Sequence, residues 1–332
     1  MRVLVTGGAG YIGSHVVAAL GQAQHDAVTI DRRAQLVGVT PMDFVLGDIA
    51  DAQLVQRVLR EYEIDSIIHL AADKSAEESV REPGRYFANN VSGTIALLEA
   101  ATRARVTRFI FSSSCAVYGV PDRLPVTEHS PLRPANPYGE SKLLVERILP
   151  WYESAHGLRY ASLRYFNAAG ASLDGAMGES WVGAPNLIPV VLKAAYEGNP
   201  VMVFGTDYET PDGTAVRDYV HVVDLADAHI RALEYTAGSR PSVAVNLGTG
   251  RGWSVREVID EARRVTGSTI AVRHEPRRPG DPSAIWADSS RAEQLLGWRA
   301  RLGLRESLDT AWRWHMRFDV PPPAGLGLHP EA

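Results

Sequence analysis

The chain has 332 residues, of which 45% are hydrophobic and 22% are charged, and its formal net charge is -5 at pH 7. This length and composition predict a soluble globular protein, and we expect two closely packed lobes, although one large α/β domain with an appended lobe is equally consistent with the length. Because basic residues are not in excess, neither nucleic acid nor an anionic membrane is an expected partner. No apolar run approaches the roughly 20 residues that a membrane-spanning helix needs.

The sequence contains a single cysteine, Cys115. One thiol excludes an intrachain disulfide and cannot by itself build a structural zinc site, so we expect no bound metal. Cys115 belongs to a Ser-rich strand end, where we expect a packed small residue rather than a nucleophile. The N-terminus runs directly into a strand pattern rather than a signal sequence, so we expect a cytoplasmic protein.

The first half of the chain alternates short apolar runs with amphipathic stretches, which is typical of strand–helix–strand units around a parallel sheet. The predicted strands are Val3–Thr6, Ala27–Ile30, Phe44–Leu46, Ser66–Leu70, Arg108–Ser112 and Tyr160–Leu163. The predicted helices between them are Gly13–Gln22, Ala52–Glu61, Asn90–Ala104 and Tyr138–His156. This order predicts an α/β fold with a doubly wound, Rossmann-type parallel sheet.

After Asn167 the alternation gives way to segments interrupted by Gly and Pro. A strand pattern returns at Val243–Leu247 and a helix pattern at Ser254–Thr266. We therefore predict a smaller, discontinuous C-terminal substrate-binding lobe, formed by residues of about 167–216 and 251–318, beside a sheet domain of 1–166 and about 217–250. The Pro- and Gly-rich stretch 319–332 is predicted to be a loose tail.

A glycine-rich segment, Thr6-Gly7-Gly8-Ala9-Gly10-Tyr11-Ile12-Gly13, follows the first predicted strand and opens the first helix. Glycine permits a tight turn and lets backbone N–H groups approach a pyrophosphate at the positive end of the helix. The spacing is Gly-x-x-Gly-x-x-Gly rather than the Gly-x-Gly-x-x-Gly of most dinucleotide folds, and a plain Gly-rich turn is the alternative.

Two acidic residues extend this dinucleotide pattern. Asp31 ends the second strand at about the 20-residue separation expected for a carboxylate that binds an adenosine ribose, which favours NAD over NADP. Arg32 and Arg33 follow directly and oppose that preference. Asp48, with Ile49 after it, either flanks the adenine or caps a helix, and the sequence leaves both interpretations open.

Tyr138 and Lys142 are four residues apart at the start of a helix that follows Asn136. They share one helix face, so the ammonium is expected to lower the pKa of the phenol and make Tyr138 a usable base. Ser112–Ser114 end the fifth strand at the carboxyl edge, where a hydroxyl can bind substrate. Surface pairs and turn caps are the alternatives, and the conjunction of all the motifs in the right order argues against them.

The sequence resembles the extended short-chain dehydrogenase/reductases and, within them, the UDP-glucose 4-epimerase family. The resemblance runs from Met1 through about Trp314. It is carried by TGGAGYIGSH at 6–15, FSSSCAVYG at 111–119, NPYGESKLLVE at 136–146, LRYFNAAGA at 163–171 and PDGTAVRDYVHVVDLADAH at 211–229.

The resemblance implies that Ser114 and Tyr138 contact the sugar O4, and that Lys142 holds the nicotinamide ribose while polarising Tyr138. The sheet domain becomes the NAD-binding domain, with contacts from Gly7, Gly10, Tyr11, Ile12, Gly13, Asp31, Arg32, Asp48, Ile49, Leu70, Ala71, Ala72, Lys74, Asn89, Ser112, Tyr138, Lys142 and Phe166. The implied nucleotide-sugar contacts are Lys74, Ser114, Tyr138, Asn167, Asn186, Leu187, Met202, Val203, Phe204, Arg217, Arg278, Asp281 and Ile285. Guanidinium groups such as those of Arg217 and Arg278 bind a diphosphate bidentately, although surface ion pairing is their commoner use.

The implied activity interconverts UDP-galactose and UDP-glucose by NAD-dependent oxidation at C4, rotation of the 4-keto sugar and re-reduction, with NAD tightly retained. Epimerases of UDP-N-acetylhexosamines, UDP-pentoses or UDP-uronates share this chemistry and stay open. A 4,6-dehydratase is disfavoured, because Cys115 and Ala116 stand where that family has an Asp-Glu pair. A non-catalytic NAD-binding regulator is disfavoured because the Ser, Tyr and Lys are all present.

The sequence departs from the family in two places. The segment after Asp31 is shorter than in typical members, so the adenine-side loop is expected to differ. Ile285 occupies a position beside the sugar, where a branched side chain could disfavour an N-acetyl group. The helix patterns at Asn90–Ala104 and Tyr138–His156 carry apolar residues on more than one face, so we expect a homodimer.

Overall fold

The computed structural model of the protein describes residues 1–33, 43–184, 186–278 and 281–319. The shortened segment after Asp31 and nearly all of the predicted tail therefore lie outside the described residues. The strands, in chain order, are β1 (Arg2–Thr6), β2 (Asp26–Asp31), β3 (Asp43–Leu46), β4 (Ser66–His69), β5 (Arg108–Ser112), β6 (Arg159–Tyr165), β7 (Asn167–Ala169), β8 (Val201–Phe204), β9 (Val216–Arg217), β10 (Tyr219–His221), β11 (Val243–Leu247), β12 (Trp253–Ser254), β13 (Val272–Glu275) and β14 (Ala284–Ile285). The α-helices are α1 (Tyr11–Gln22), α2 (Ala52–Glu61), α3 (Ala76–Arg81), α4 (Pro83–Phe87), α5 (Gly93–Arg103), α6 (Pro137–His156), α7 (Leu187–Glu197), α8 (Val222–Ala237), α9 (Val255–Thr266), α10 (Ser290–Leu296) and α11 (Leu304–Asp319).

The central element is a parallel sheet of seven strands in the order β11-β6-β5-β4-β1-β2-β3. All seven strands predicted from the sequence belong to this sheet, with ends displaced by at most two residues. The predicted Rossmann-type α/β fold is thereby confirmed. The strand order reverses at β1, which lies between β2 and β4, and ligands bind outside the carboxyl ends of strands at such a switch point.

Alternation along the strands gives the sheet two buried faces. Val3 and Val5 of β1 face one hydrophobic core with helices α1 and α8, whereas Leu4 faces a second core with α2 and α5. Both faces are apolar because helices cover a parallel sheet on both sides. This sandwich holds the carboxyl ends of β1, β2 and β4 in fixed relative positions.

A third hydrophobic core lies outside the sheet. It packs α7, α9 and α11 around β8, with Leu192, Val201, Val258 and Leu308 among its buried side chains. Trp298, farther along the chain, packs instead with the core beside α1 and α8. The predicted boundaries between the two lobes stay a prediction. Among the helices of the described residues, none combines the length and apolarity that crossing a bilayer requires.

The predicted helices are present, with two differences. The pattern at Asn90–Ala104 is a turn of π-helix at Ala88–Ser92 followed by α5. Periodicity does not distinguish such a turn, because it changes the backbone hydrogen-bond partner but hardly the buried face. Ser254 caps α9 through a reciprocal capping box with Glu257 rather than starting the helix itself.

Candidate active site

The loop between β1 and α1 depends on glycine at two positions. Gly7 has φ of +75°, and a Cβ there would lie 2.7 Å from the backbone nitrogen of Ala71. A Cβ on Gly13 would overlap the carbonyl oxygen of Gly7. The N–H of Gly10 donates to that carbonyl over 3.0 Å. These close approaches bring the N-terminus of α1 against the loop that follows β4.

Asp31 lies at the carboxyl end of β2, next to the glycine loop. Its carboxylate accepts hydrogen bonds from the backbone N–H of Ala9 at 3.1 Å and of Arg33 at 3.0 Å. The guanidinium of Arg32 lies 3.7 Å from Asp48 and 3.6 Å from Asp73. The positive charge of Arg32 is therefore shared between two carboxylates.

Asp48 has a clear structural position. It accepts a hydrogen bond from the N–H of Ala50 at 2.9 Å, whereas the cap of α2 is Asp51, which accepts from Gln53 and Leu54. Asp48 therefore holds a turn and does not cap the helix. Its side chain lies beside a cavity, as the adenine-side interpretation expects.

A cavity of about 700 Å³ opens at the carboxyl edge of the sheet. Small-molecule sites typically have volumes of roughly 300–1,000 Å³. The predicted NAD contacts that line it are Gly7, Gly10, Tyr11, Ile12, Gly13, Asp31, Arg32, Asp48, Ile49, Leu70, Ala71, Ala72, Lys74, Asn89, Tyr138 and Lys142. Most of the residues predicted to contact NAD therefore line the same cavity.

Two predicted cofactor residues do not line this cavity. Phe166 is buried in the core beside α1 and α8, because β6 ends just before it and directs its ring inward. Ser112 is fully buried, and its hydroxyl is 2.8 Å from Nε2 of His229. The carbonyl oxygen of Ser112 accepts a hydrogen bond from Lys142, which does line the cavity.

Tyr138 and Lys142 lie on the first turns of α6, where Asn136 caps the helix by accepting from the N–H of Gly139 at 2.9 Å. The Nζ of Lys142 donates to the carbonyl oxygen of Ser112 at 2.8 Å. It lies 5.9 Å from the centroid of the Tyr138 ring. The cap and the strand end thereby fix both side chains towards the cavity.

The protonation of this pair differs from the expectation. Burial raises the pKa of Tyr138 to about 12, and a hydrogen bond with Ser114 opposes part of that rise. Burial also lowers the pKa of Lys142 to about 7, while the charge of Glu146 acts in the opposite direction. Burial therefore moves the pKa of Tyr138 upwards, whereas the spacing of Tyr138 and Lys142 predicts a downward shift.

Cys115 follows Ser114 and packs against the core beside α1 and α8. Burial raises the pKa of its thiol to about 12, so the thiol stays protonated at neutral pH. This confirms a packed small residue. The positive charge of Arg217 acts in the opposite direction and lowers the pKa of the same thiol.

The predicted nucleotide-sugar contacts form a second group of side chains. Arg217, on β9, pairs with Asp281, and the guanidinium of Arg278 lies 4.0 Å from the centroid of the Phe204 ring. The remaining members occupy β7 (Asn167), the start of α7 (Asn186, Leu187), β8 (Met202, Val203) and β14 (Ile285). Val203 and Ile285 are buried in cores.

Sequence reasoning missed several residues of the cavity wall, above all Tyr165 and Glu179. Tyr165 lies inside the LRYFNAAGA stretch, so the family resemblance could have indicated it. Glu179 belongs to a segment with no periodic pattern and gave no signal. Among residues 1–33, 43–184, 186–278 and 281–319, no group of three or more His, Cys, Asp or Glu could hold a metal ion.

Known proteins are similar to this chain over most of its length. The model of the NAD dependent epimerase/dehydratase family matches residues 3–248. A UDP-glucose 4-epimerase from Lactobacillus helveticus is 46% identical over 323 residues, which cover 95% of this chain and 97% of that protein.

Solved structures are similar over the whole described fold. UDP-glucose 4-epimerase from Stenotrophomonas maltophila, crystallised with NAD and formylated UDP-arabinopyranose, has a TM-score of 0.92 and 41% identity, covering 96% of this chain and 99% of that one. The Bifidobacterium longum enzyme, in complex with NAD+ and UDP, has a TM-score of 0.88 and 39% identity, with coverage of 96% and 99%. The chain therefore belongs to the NAD dependent epimerase/dehydratase family and, within it, to the UDP-glucose 4-epimerase family.

Proposed function

We propose that this protein is an NAD-dependent epimerase that interconverts UDP-galactose and UDP-glucose at C4. The observation that carries the proposal is the convergence of Tyr138 and Lys142 with the glycine loop on one cavity. The similarity to UDP-glucose 4-epimerases over nearly the whole chain supports the same activity. Conversion of UDP-galactose by the purified protein without added nicotinamide, followed by proton NMR, tests it.

The residues of the cavity fit NAD. The close backbone approaches at Gly7 and Gly13 leave the N-terminus of α1 open to a pyrophosphate. The carboxylate of Asp31 lies beside that loop, where it would repel a 2′-phosphate. The neighbouring charge of Arg32 is already paired with two carboxylates, so it offers little to that phosphate. When bound, NAD supplies the hydride acceptor and, in its oxidised form, a positive charge.

Tyr138 is the proposed acid–base group, and Ser114 holds the reacting hydroxyl beside it. A phenol whose pKa is raised to about 12 keeps its proton in isolation, so a neighbouring positive charge must stabilise the Tyr138 phenolate before it can accept the proton of the sugar hydroxyl. Lys142, fixed by the carbonyl of Ser112, supplies part of that charge at the neighbouring position. In the return step the same phenol gives the proton back to the O4 oxygen of the turned 4-keto sugar.

Rotation of the 4-keto sugar requires that the nucleotide stays bound while the sugar is free to turn. The second group of side chains, with Arg217 and Arg278 as its cations, is the proposed anchor for the diphosphate. Epimerisation of UDP-N-acetylhexosamines, UDP-pentoses or UDP-uronates is the alternative, because these substrates need the same anchor and the same acid–base pair.

The glycine loop gives a first prediction. In Gly13→Ala the new Cβ overlaps the carbonyl of Gly7, so the loop must shift. We expect a loss of roughly 1–3 kcal/mol in the free energy of unfolding and substoichiometric NAD in the purified protein. Denaturant titration and NAD released on denaturation measure both effects.

The matched control lies in the same helix. A Cβ at Gly21 meets no atom within 4 Å, so Gly21→Ala should raise the stability of the protein by about 0.5–1 kcal/mol through helix propensity and leave the NAD content unchanged. Full NAD content in Gly13→Ala would contradict the assignment of this loop to the cofactor.

The homodimer is a further proposal. Trp151 on α6 is 76% exposed and Ile95 on α5 is 38% exposed, so these two helices carry apolar side chains away from the core. A stable monomer in light scattering at micromolar concentration would contradict it, and a mass twice that of the chain is expected. The cytoplasmic location stays a prediction from the sequence.

A further inference from the structure

One acidic side chain of the cavity wall, Glu179, has no role in the proposed chemistry. The residues before and after Glu179 both pack against α11. A bridge joins Gly178 to Ala171, and a Cβ on Gly178 would lie 2.5 Å from the ring of Trp314. The ring of Trp181 stacks on His315 with centroids 3.9 Å apart. The backbone therefore fixes Glu179 at the cavity wall.

The Glu179 carboxylate joins two predicted nucleotide-sugar contacts. Its Oε1 accepts from the Nζ of Lys74 at 3.0 Å and from the Nδ2 of Asn186 at 3.0 Å, and its Oε2 is 3.2 Å from the same Nδ2. Lys74 follows β4, and Asn186 precedes α7. The carboxylate thus connects the sheet to the substrate lobe, with only 11% of its side chain exposed.

This contact neutralises the charge that Lys74 would otherwise offer to a ligand. The neighbouring cations of the wall are also paired: Arg85 lies 3.1 Å from Asp73, and Arg32 lies 3.6 Å from the same residue. A second carboxylate brought in by a ligand would meet Glu179 beside Lys74, whose charge Glu179 already neutralises. Juxtaposed like charges are an efficient way to reject a wrong partner.

We propose that Glu179 is a specificity-determining residue that makes the sugar end of the cavity select uncharged hexoses over UDP-hexuronates. The proposal rests on the function proposed above, since a sugar that turns over presents its C5 substituent to both walls of the pocket. A C5 hydroxymethyl group is compatible with the paired Glu179, Lys74 and Asn186. A C5 carboxylate is repelled by Glu179 and finds Lys74 already occupied.

The test compares binding of UDP-glucose and UDP-glucuronate to the NAD-loaded protein by isothermal titration calorimetry. The wild type should bind UDP-glucose more tightly by about tenfold or more. In Glu179→Gln, which keeps a hydrogen-bond acceptor but frees the charge of Lys74, that ratio should fall by roughly tenfold. In Lys74→Met, which leaves Glu179 unpaired, the ratio should rise.

Glu77→Gln is the matched control, because it removes one carboxylate of an exposed ion pair with Arg81 on α3, away from the cavity wall. Its ratio should equal that of the wild type. An unchanged ratio in Glu179→Gln, or a shift in the same direction in both Glu179→Gln and Lys74→Met, would overturn the proposal. The Lys74 side chain is 60% exposed, so Lys74→Met is expected to fold. If Glu179→Gln does not fold, the binding ratio of Lys74→Met still tests the proposal.

The binding ratio needs no turnover, so it separates this inference from the proposed function. If the wild type binds both nucleotide sugars but does not convert UDP-galactose, the proposed epimerase activity is refuted. The role of Glu179 is then still decided by the binding ratios of the variants. If the protein converts UDP-galactose but the binding ratio is the same in Glu179→Gln as in the wild type, the epimerase activity stands and the role of Glu179 is refuted.

Discussion

Replacing Tyr138 with phenylalanine is expected to lower kcat for UDP-galactose by roughly 100-fold to 10,000-fold, the contribution typical of a positioned acid–base group. The change removes one oxygen atom and leaves the ring in place on α6. Folding and NAD content should therefore stay as in the wild type. Steady-state kinetics, melting temperature and released NAD measure the three quantities.

Tyr152→Phe is the control on the same helix. The Tyr152 hydroxyl donates to Glu99 at 2.8 Å, and Tyr152 does not belong to the cavity wall. Its loss should cost a small amount of stability and no activity. If Tyr138→Phe keeps most of its kcat, Tyr138 is not the base, and the proposed role of the whole Tyr138–Lys142 pair fails.

The second large effect is expected in the buried ion pair between Arg164 and Glu146. The guanidinium donates to both carboxylate oxygens, at 3.0, 3.1 and 2.6 Å, and to the hydroxyl of Tyr118 at 2.9 Å. Each side chain of the ion pair is only 7% exposed. Arg164→Met leaves the Glu146 carboxylate buried without its cation, so we expect a loss of about 3–5 kcal/mol in the free energy of unfolding.

Two further variants give that prediction its controls. Arg81→Met breaks an exposed helix pair with Glu77 and should cost no more than about 0.5 kcal/mol. The double variant Arg164→Met/Glu146→Leu removes both charges and should recover a substantial part of the loss. Equal costs for Arg164→Met and Arg81→Met, measured by denaturant titration, would show that the buried pair is not what stabilises this part of α6.

The same ion pair links stability to the site. Glu146 is one helical turn beyond Lys142, and its charge raises the pKa of that lysine against the effect of burial. The Ser113 hydroxyl also donates to Glu146, which connects α6 to the strand end beside Ser114. The buried pair of Glu146 and Arg164 therefore helps to fix the orientation of α6, which carries the proposed acid–base group.

The sheet and the cofactor wall could be predicted from the sequence because each depends on local chemistry. Strands such as β5 are short apolar runs bounded by turns. Because helices cover both faces of the sheet, such a run is predicted to be a buried strand. The glycines at 7 and 13 are required by backbone contacts within the same loop and with the loop that follows β4. The spacing of Tyr138 and Lys142 on one helix fixes their common face.

The parts that could not be predicted depend on residues far apart in the sequence. Glu179 reaches Lys74 across 105 positions of the chain. The raised pKa of Tyr138 follows from burial by surrounding elements, which the Tyr–Lys spacing does not reveal. Phe166 matches a family contact by position, yet its side chain lies in a core.

In the proposed reaction, hydrogen leaves C4 as hydride and returns to the same carbon. The most direct test uses UDP-galactose that carries deuterium at C4, in ordinary water, with no added nicotinamide. We expect UDP-glucose that retains the deuterium at C4, because the hydride stays in the site. Loss of the deuterium to water, seen as a proton signal at C4 of the product, would contradict it.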